Sequence, residues 1–341
     1  MKKYLLPEKG AFYKANMHVH TTVSDGKDSP EEIKRIYKEK GYSIVAYTDH
    51  EVLVPHDELC DENFVAITAV EIGNHEDARP KLGRNYHLNL YAKTPLKDFF
   101  SMRCSRYVKE SWGKWESLQQ KEIEFNRVYG VEGTNEIVAK ANEEGFLVCY
   151  NHPVWSGQTA IDYLGLEGLW GIEVFNATCV RQGKVDNDNP LKDLLHTGKQ
   201  VFPVAADDAH GPLCYGVGWI QVKAEWLDYT TVMQALEKGN FYASTGPEIK
   251  ELYVEGTTLH IETSPCKSVY VYTDNPILLR AVAEEGQFLE SAEIDVSVLL
   301  EKLNLGFVGK GKNEMYIRIV VTDELERKAY TRAYYLREVF D

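Results

Sequence analysis

The sequence lacks any apolar run long enough to cross a membrane, because nowhere do about 18 apolar residues follow one another. Its first residues include Lys2 and Lys3 but no apolar stretch of signal-peptide length. We therefore expect a cytoplasmic protein with no membrane partner.

Cysteine is sparse and shows no pairing pattern. Six cysteines are scattered through 341 residues, and no Cys-x-x-Cys motif occurs. This distribution argues against both a disulfide framework and a zinc site built from thiolates.

Basic charge is also in short supply. The chain has 38 lysines and arginines against 52 acidic residues, which gives a formal charge of −14. Nucleic acids and anionic membranes are bound through a basic face, so we expect no general nucleic-acid partner. A small phosphorylated substrate held by bound metal remains compatible with this charge.

Length and composition indicate a soluble globular protein. At roughly 150 residues per domain, 341 residues predict two domains, or one large domain and one small domain. The hydrophobic fraction of 44% and the charged fraction of 26% are ordinary for such proteins. A homo-oligomer remains compatible with these features.

Short apolar runs alternate with helical patterns over the first 240 or so residues. Near-continuous runs are typical of parallel strands that are buried on both faces. The predicted strands are Ala15–Val19, Ser43–Tyr47, Phe64–Ala69, His87–Tyr91, Phe146–Tyr150, Gly171–Phe175 and Val201–Ala205. Alternating strands and helices imply βαβ units, and seven such strands favour closure into a barrel over an open sheet.

Capping residues mark the helices between these strands. Ser29 suits an N-cap, Pro30 suits the first helical position, and Gly41 suits the end of that helix. Three further helices are predicted at Thr134–Glu144, Pro190–Thr197 and Tyr229–Lys238. The charged, Trp-containing stretch at about 98–130 is predicted to be a helical insertion.

The pattern changes after Gly246 to alternation with a period of two. The predicted strands there are Ile249–Val254, Leu259–Thr263, Val269–Thr273, Met315–Val321 and Tyr330–Leu336. We therefore predict an α/β domain over residues 1–245 and a small antiparallel, sandwich-like β domain over 246–341. We expect the β domain to have a supporting or oligomerising role.

Histidines and carboxylates recur at the ends of the predicted strands of the first domain. His18 and His20 are two residues apart, so they point to the same face of their strand. Six of the ten histidines lie at strand ends, namely His18, His20, His50, His87, His152 and His210, together with the acids Glu71 and Asp208. The carboxyl ends of parallel strands meet at one rim, where sites form.

His87 is an exception, because it begins its predicted strand. Either that strand runs in the opposite direction or its boundary is misplaced.

So many imidazoles without partners would be costly to bury, and divalent cations remove that cost. Nitrogen and oxygen donors without thiolates suit Zn, Mn or Fe. The number of donors exceeds the needs of one ion and indicates two or three.

The order of these motifs resembles the polymerase-and-histidinol-phosphatase (PHP) family over about residues 15–245. The motifs are His18-Val19-His20-Thr21, Ser24-Asp25-Gly26, Thr48-Asp49-His50, Glu71, His87, Asn151-His152-Pro153 and Asp208-Ala209-His210. The resemblance implies a distorted seven-stranded (β/α)7 PHP barrel, a trinuclear metal site and hydrolysis of phosphoesters.

The resemblance also implies a ligand set for each ion. The first ion would be bound by His18, His20, Glu71 and Asp208, the second by Glu71, His87 and His152, and the third by Asp25, His50 and His210. Of these residues, His18, His20, Glu71, Asp208 and His210 would carry the catalysis.

One neighbouring acid and one neighbouring histidine compete with these assignments. His87 is preferred to His75 because it precedes an apolar run, and Asp208 is preferred to Asp207 because it shares a strand face with His210. Asp207 and Asp49 are then expected to orient imidazoles from behind.

These features predict a phosphoesterase in which a metal-bound hydroxide attacks the phosphorus of a small phosphorylated metabolite. Arg84 and Arg181 are candidate contacts for the substrate phosphate. Two alternatives stay open, a nuclease acting on oligonucleotides and a non-catalytic, metal-stabilised protein that binds a ligand or partner.

Overall fold

The computed structural model describes residues 1–76, 83–108, 124–184, 187–305 and 315–340. The strands are β1 (Lys2–Tyr4), β2 (Ala11–Val19), β3 (Ile44–Tyr47), β4 (Val65–His75), β5 (Asn85–Ala92), β6 (Phe146–Asn151), β7 (Gly171–Asn176), β8 (Phe202–Ala206), β9 (Trp219–Ala224), β10 (Phe241–Ser244), β11 (Ile249–Glu255), β12 (Thr258–Cys266), β13 (Ser268–Thr273), β14 (Leu278–Val282), β15 (Leu289–Asp295), β16 (Tyr316–Thr322), β17 (Lys328–Thr331) and β18 (Tyr334–Tyr335). The helices are α1 (Pro30–Glu39), α2 (Val131–Glu143), α3 (Ala160–Tyr163), α4 (Ala177–Arg181), α5 (Asn189–His196), α6 (Tyr229–Glu237), α7 (Ser297–Asn304) and α8 (Leu336–Phe340). The protein is therefore an α/β structure.

A single large mixed sheet dominates the fold. Its neighbouring strands run in the order β14-β13-β16-β17-β10-β9-β2-β3-β4-β5-β6-β7-β8. The pairs β2–β3, β3–β4, β6–β7 and β7–β8 are parallel, as the sequence predicts. Strand β5 is antiparallel to both β4 and β6.

The predicted closed barrel is not confirmed, because no closed sheet is found in the described part of the chain. Residues Ala11–Ala15 of β2 pair with β9, so this part of the edge of β2 is not available to β8. The two ends of the β2–β8 path meet only further along, in an isolated parallel bridge between Val19 and Ala209. The His20 amide also donates to the Ala209 carbonyl at 3.0 Å.

The C-terminal strands form two layers around a second apolar core. One layer is a separate sheet in the order β1-β11-β12-β15, and the other is the β14-β13-β16-β17 end of the large sheet. Leu252 and Leu259 from the first layer share a core with Val271 and Ile319 from the second. Strand β1, from the start of the chain, belongs to this unit because it pairs with β11.

The helices begin and end as the local sequence predicts. The Ser29 side chain caps α1 by accepting a hydrogen bond from the Glu32 amide, and Pro30 is the first helical residue. Helices α2, α5 and α6 occupy the three other predicted positions, with shifts of one to three residues at their ends. In the described part of the chain, no helix is long and apolar enough to cross a membrane.

The helical insertion predicted at about 98–130 lies partly outside the described residues, which omit 109–123. The described parts, 98–108 and 124–130, contain one 3-10 turn at Ser105–Tyr107 and no α-helix. The helical insertion as a whole therefore stays a prediction.

Candidate metal centre

One end of the large sheet collects the predicted ligands. His18 is the penultimate residue of β2, and Glu71 lies within β4. His50 follows β3, and His152 follows β6. His210 follows β8, and an isolated parallel bridge between His50 and Glu71 keeps the chain after β3 beside β4.

The direction of β5 explains the position of His87. Because β5 is antiparallel to its neighbours, its beginning lies beside the ends of β4 and β6, where His87 pairs with Gly73 and Asn151. Of the two explanations left open by the sequence, the reversed strand is the correct one.

The first donor set joins four buried side chains, His18, His20, Glu71 and Asp208. Nε2 of His18 lies 3.4 Å from Glu71 Oε2 and 3.3 Å from Asp208 Oδ1. Nε2 of His20 lies 3.3 Å and 3.2 Å from the same two oxygens. Tetrahedral ligands at about 2.0–2.1 Å from a zinc ion would be about 3.3 Å apart, so the spacing suits such an ion.

The second donor set shares Glu71 with the first. The other oxygen of Glu71, Oε1, lies 3.0 Å from His87 Nδ1 and 3.3 Å from His152 Nε2. Asn151 Nδ2 donates to the same oxygen at 2.9 Å. The two oxygens of Glu71 thus face two donor sets, which is the arrangement of a bridging carboxylate.

The third donor set lies nearer solvent and contains His20, Asp25, His50 and His210. Asp25 Oδ1 is 3.4 Å from His210 Nε2 and 3.7 Å from His50 Nε2. Nδ1 of His20 is 3.8 Å from Asp25 Oδ1. The structure therefore groups all nine residues that the resemblance singled out.

Glu173 of β7 orients the first set from behind. Nδ1 of His18 donates to Glu173 Oε1 at 2.7 Å, which leaves Nε2 of the same ring to face Glu71 and Asp208. Glu173 Oε2 accepts from the His152 amide at 3.0 Å and from Asn176 Nδ2 at 2.9 Å. Glu173 also forms a candidate donor group with His18 and His152.

The expectation that Asp49 and Asp207 orient imidazoles is wrong. Asp49 Oδ1 accepts from the amides of Thr21 at 2.8 Å and Ser24 at 3.1 Å, so it holds the turn that carries Asp25. Asp207 accepts from the Gly216 and Gly218 amides and from the Tyr37 hydroxyl. Both acids follow strands, but their carboxylates face loop backbone rather than the histidines.

The electrostatics of the cluster favour a cation. Burial acts to lower the pKa of His18, but the nearby carboxylates of Asp208, Glu71 and Glu173 outweigh it and raise that pKa well above its ordinary value. Burial acts to raise the pKa of Glu71, but the surrounding histidines hold it well below the ordinary value. The raised pKa of His18 shows that this site favours positive charge beside its carboxylates, and a divalent ion would supply that charge.

Two of the predicted residues have unusual backbone angles. His152 has φ +23° and Asp208 has φ +49°, and neither is glycine. Glu51, which follows His50, has φ +60°. Left-handed non-glycine residues are uncommon and concentrate at functional sites, where the surrounding structure holds them.

The donor sets open into a cavity of about 370 Å³. Its lining contains seven of the nine predicted ligands and also Glu51, His75, Asn85, Tyr107, Trp155, Thr178 and Gln182, whereas His18 and His20 are fully buried behind it. Trp155 contacts His152 edge-on, with ring centroids 5.1 Å apart, and donates to Gln182 at 2.8 Å. The described residues that line the cavity include no arginine or lysine.

The predicted phosphate contacts lie elsewhere. The Arg84 guanidinium pairs with Asp162 at 2.9 Å and with Glu76 at 3.2 Å. Arg181 is exposed at the end of α4. Neither is among the described lining residues of the cavity.

Sequence reasoning missed a buried ion pair beside the cavity, in which Glu51 lines the cavity and Arg127 lies behind it. Arg127 donates to both oxygens of Glu51, at 2.6 and 2.7 Å, and to the Gly73 carbonyl at 2.6 Å. It also donates to the Met102 carbonyl. The pair joins the segment 98–130 to the loop after β3, and its partners are 76 positions apart, so no local pattern could have revealed it.

His75 is also brought to the site. Its ring lies 5.6 Å from that of His87 and 4.7 Å from that of Tyr107, and it lines the cavity. No candidate donor group among the described residues includes it. The placement thus accords with the preference for His87 over His75, although metal binding by either stays a prediction.

No family model matches this sequence, and no curated relative matches it. Three solved structures are similar at a distance. A two-domain protein from Bacteroides vulgatus, said to contain a predicted PHP-like metal-dependent phosphoesterase, is 15% identical, with 97% of this chain and 98% of that chain covered and a TM-score of 0.45.

A lesion-specific endonuclease from Pyrococcus furiosus is 16% identical, with 67% of this chain and 56% of that chain covered and a TM-score of 0.44. A protein from Bifidobacterium adolescentis, provisionally named a metal-dependent phosphoesterase, is 16% identical. The match covers 61% of this chain and 90% of that chain, with a TM-score of 0.40. Similarities this distant do not transfer an activity to the chain.

Proposed function

We propose that this protein is a metal-dependent phosphoesterase that hydrolyses a small phosphorylated metabolite. One observation carries the proposal: nine histidines and carboxylates from seven chain segments form three overlapping donor sets, and seven of the nine line one cavity. The resemblance of the same residues to the PHP motifs supports it independently of the geometry.

The donor chemistry suits two or three divalent ions such as Zn, Mn or Fe. All donors are imidazole nitrogens or carboxylate oxygens, and the sets include no cysteine among the described residues. When bound, such ions act as Lewis acids toward phosphoryl oxygens and lower the pKa of a coordinated water.

The chain's own residues prepare this site in three ways. Glu173 fixes the ring of His18, so that Nε2 faces the acids. Asp49 fixes the turn that carries Asp25. Glu71 links two donor sets through its two oxygens and thereby sets the distance between them.

A small substrate is favoured over a polymer. The described lining of the cavity has no arginine or lysine that could follow a nucleic-acid backbone, and the whole chain carries a charge of −14. The phosphate of the substrate would therefore rely on the ions for charge compensation. The cavity volume of about 370 Å³ suits a metabolite.

The experiment measures metal content and phosphate release together. We expect two to three equivalents of transition metal in purified protein and phosphate release from a panel of phosphomonoesters and diesters. His20→Ala and Asp208→Ala should each lower that release about 1000-fold, since about 4 kcal/mol of transition-state stabilisation would be lost.

His260→Ala is the matched control, because His260 lies in β12 and outside the cavity. If the two site variants keep the activity of this control, the assigned site is wrong. If metal-replete protein is inert on the whole panel but binds a phosphorylated compound, the non-catalytic alternative replaces the proposal. Cleavage of oligonucleotides alone would instead favour the nuclease.

A further inference from the structure

A second cavity lies between α5 and the C-terminal end of the large sheet. It has a volume of about 240 Å³, and its walls come from the start of α5 and from strands β13, β16 and β17. The residues that matter here are Asp188, Lys192, Tyr272, Tyr316, Arg318 and Lys328. We call this cavity the α5 groove, and its lining shares no residue with the candidate metal centre.

The position of Arg318 in β16 is unusual. Alternate residues of the strand face opposite sides, so that Ile317 and Ile319 enter the C-terminal core. Tyr316 and Val320, on the other side, join the other main apolar core, which contains Ile44 of β3 and Leu90 of β5. Arg318 lies between Tyr316 and Val320 on the same side and is only 4% exposed, so a guanidinium occupies a position where an apolar side chain would continue the core.

The buried guanidinium is only partly satisfied. Its Nη2 pairs with Asp188, and its Cζ lies 5.2 Å from the centre of the Tyr272 ring. Its Nη1 is buried without a hydrogen-bond partner, and so is the Tyr316 hydroxyl. Buried donors without acceptors are costly, so both groups call for an acceptor within the groove.

The charge of the groove indicates what kind of acceptor fits. Arg318, Lys192 and Lys328 bring three positive charges against one carboxylate, Asp188, in a protein whose total charge is −14. The start of α5 adds the positive end of a helix dipole. An oxyanion would accept from the free donors and balance the excess charge, whereas a neutral acceptor would do only the first.

We propose that the α5 groove is a binding site for a small oxyanion, namely the phosphate or carboxylate group of a metabolite. Nη1 of Arg318 and the Tyr316 hydroxyl donate to it, and Lys192 and Lys328 attract it from the solvent side. The proposal does not depend on the metal centre or on the proposed hydrolysis.

Inorganic phosphate is the probe, and the metal-loaded full chain is the sample. Melting temperatures are measured with phosphate and with sodium chloride at equal ionic strength. Phosphate at about ten times its dissociation constant should raise the melting temperature by about 2 °C through this site. The double variant K192Q/K328Q should lose most of that increment.

The lysines are chosen because both are exposed, whereas a change at Arg318 would also leave Asp188 unpaired. The control is K9Q/K250Q, which removes the same charge from two exposed lysines outside the groove. It should keep the wild-type increment. Equal increments in the two double variants would overturn the proposal, because phosphate bound at the metal centre would then account for the whole effect.

Crystals of the same sample soaked in selenate locate the anion directly. We expect an anomalous selenium peak in the groove, placed so that a selenate oxygen lies within hydrogen-bonding distance of Arg318 Nη1. A groove without selenium in crystals that carry selenium at the metal centre would overturn the proposal, even if the melting temperatures differ.

Discussion

The orientation of His18 depends on a single carboxylate outside the predicted ligand sets. Glu173 is buried, accepts from His18 Nδ1 with one oxygen, and accepts from the His152 amide and Asn176 Nδ2 with the other. Both oxygens of Glu173 accept hydrogen bonds, which suits a carboxylate. In an amide, one of these oxygens would be an NH2 group, which would face another N–H donor. A hydrogen-bond partner on the far side of a metal-binding imidazole determines both the tautomer and the orientation of that ring.

At this scale we predict that Glu173→Gln weakens metal binding about 10- to 100-fold while leaving every predicted ligand in place. The reason is that the new amide nitrogen would face the His152 amide or the proton on His18. Competition with a chelator of known affinity measures the effect. Glu167→Gln is the control, because Glu167 is exposed and pairs only with Lys199 at the surface among the contacts described; equal affinities in both variants would show that Glu173 does not position His18.

The elements around the site are joined by contacts between distant parts of the chain. Arg127, whose side chain has no exposed surface, pairs with Glu51, whose side chain is 4% exposed. Through this pair the segment after β5 is fixed to the loop after β3, next to His50. Replacing both partners of such a buried ion pair changes the free energy of unfolding little. Removing only one partner lowers it strongly, because a buried charge is left unpaired.

We therefore predict that Arg127→Met lowers the free energy of unfolding by about 3–5 kcal/mol, because it leaves the Glu51 carboxylate buried and unpaired. The double variant Glu51→Gln with Arg127→Met should recover part of this loss. Urea unfolding of the single and double variants measures the coupling.

The surface pair of Lys93 and Glu237, at 2.6 Å and well exposed, provides the comparison. Lys93→Met should cost less than about 1 kcal/mol, as is usual for exposed pairs. If the losses in free energy of unfolding caused by the Arg127 and Glu51 substitutions simply added up in the double variant, the two residues would not act as a pair.

For the molecule as a whole, the donor sets gather chain segments that are far apart in the sequence. His20 and Asp208 are separated by almost the whole length of the larger unit, yet Nε2 of one lies 3.2 Å from Oδ1 of the other. The site therefore exists only in the folded chain. An ion that binds the folded state alone adds its binding free energy to stability.

At this scale we predict that removal of metal by a chelator lowers the free energy of unfolding by about 4 kcal/mol when free metal had been about 1000 times its dissociation constant. Thermal unfolding before and after chelation measures the change, and added metal should restore it. Asp208→Asn, which removes the negative charge and one carboxylate oxygen from the first set, should show a smaller response to the chelator. A melting temperature that does not change on chelation would contradict the assignment of a metal centre.

Much of the fold was predictable because its signals are local. Runs of apolar residues marked strands β2 to β8 of the large sheet, and Ser29, Pro30 and Gly41 marked the first helix. The sequence did not predict that β5 is antiparallel or that β9 pairs with the edge of β2. Strand direction and pairing are set by contacts between distant segments. The same edge pairing leaves the predicted barrel closure unconfirmed.

By itself, the sequence determined which donors the protein has and at which strand ends they lie, since motif spacing and side-chain chemistry are properties of the chain alone. Only the tertiary structure decided that Glu71 faces two donor sets, that Glu173 rather than Asp49 or Asp207 orients an imidazole, and that Arg84 pairs with Asp162 rather than lining the cavity. These outcomes depend on which side chains meet across the sheet and its loops, and that is fixed by packing and hydrogen bonding over long sequence distances.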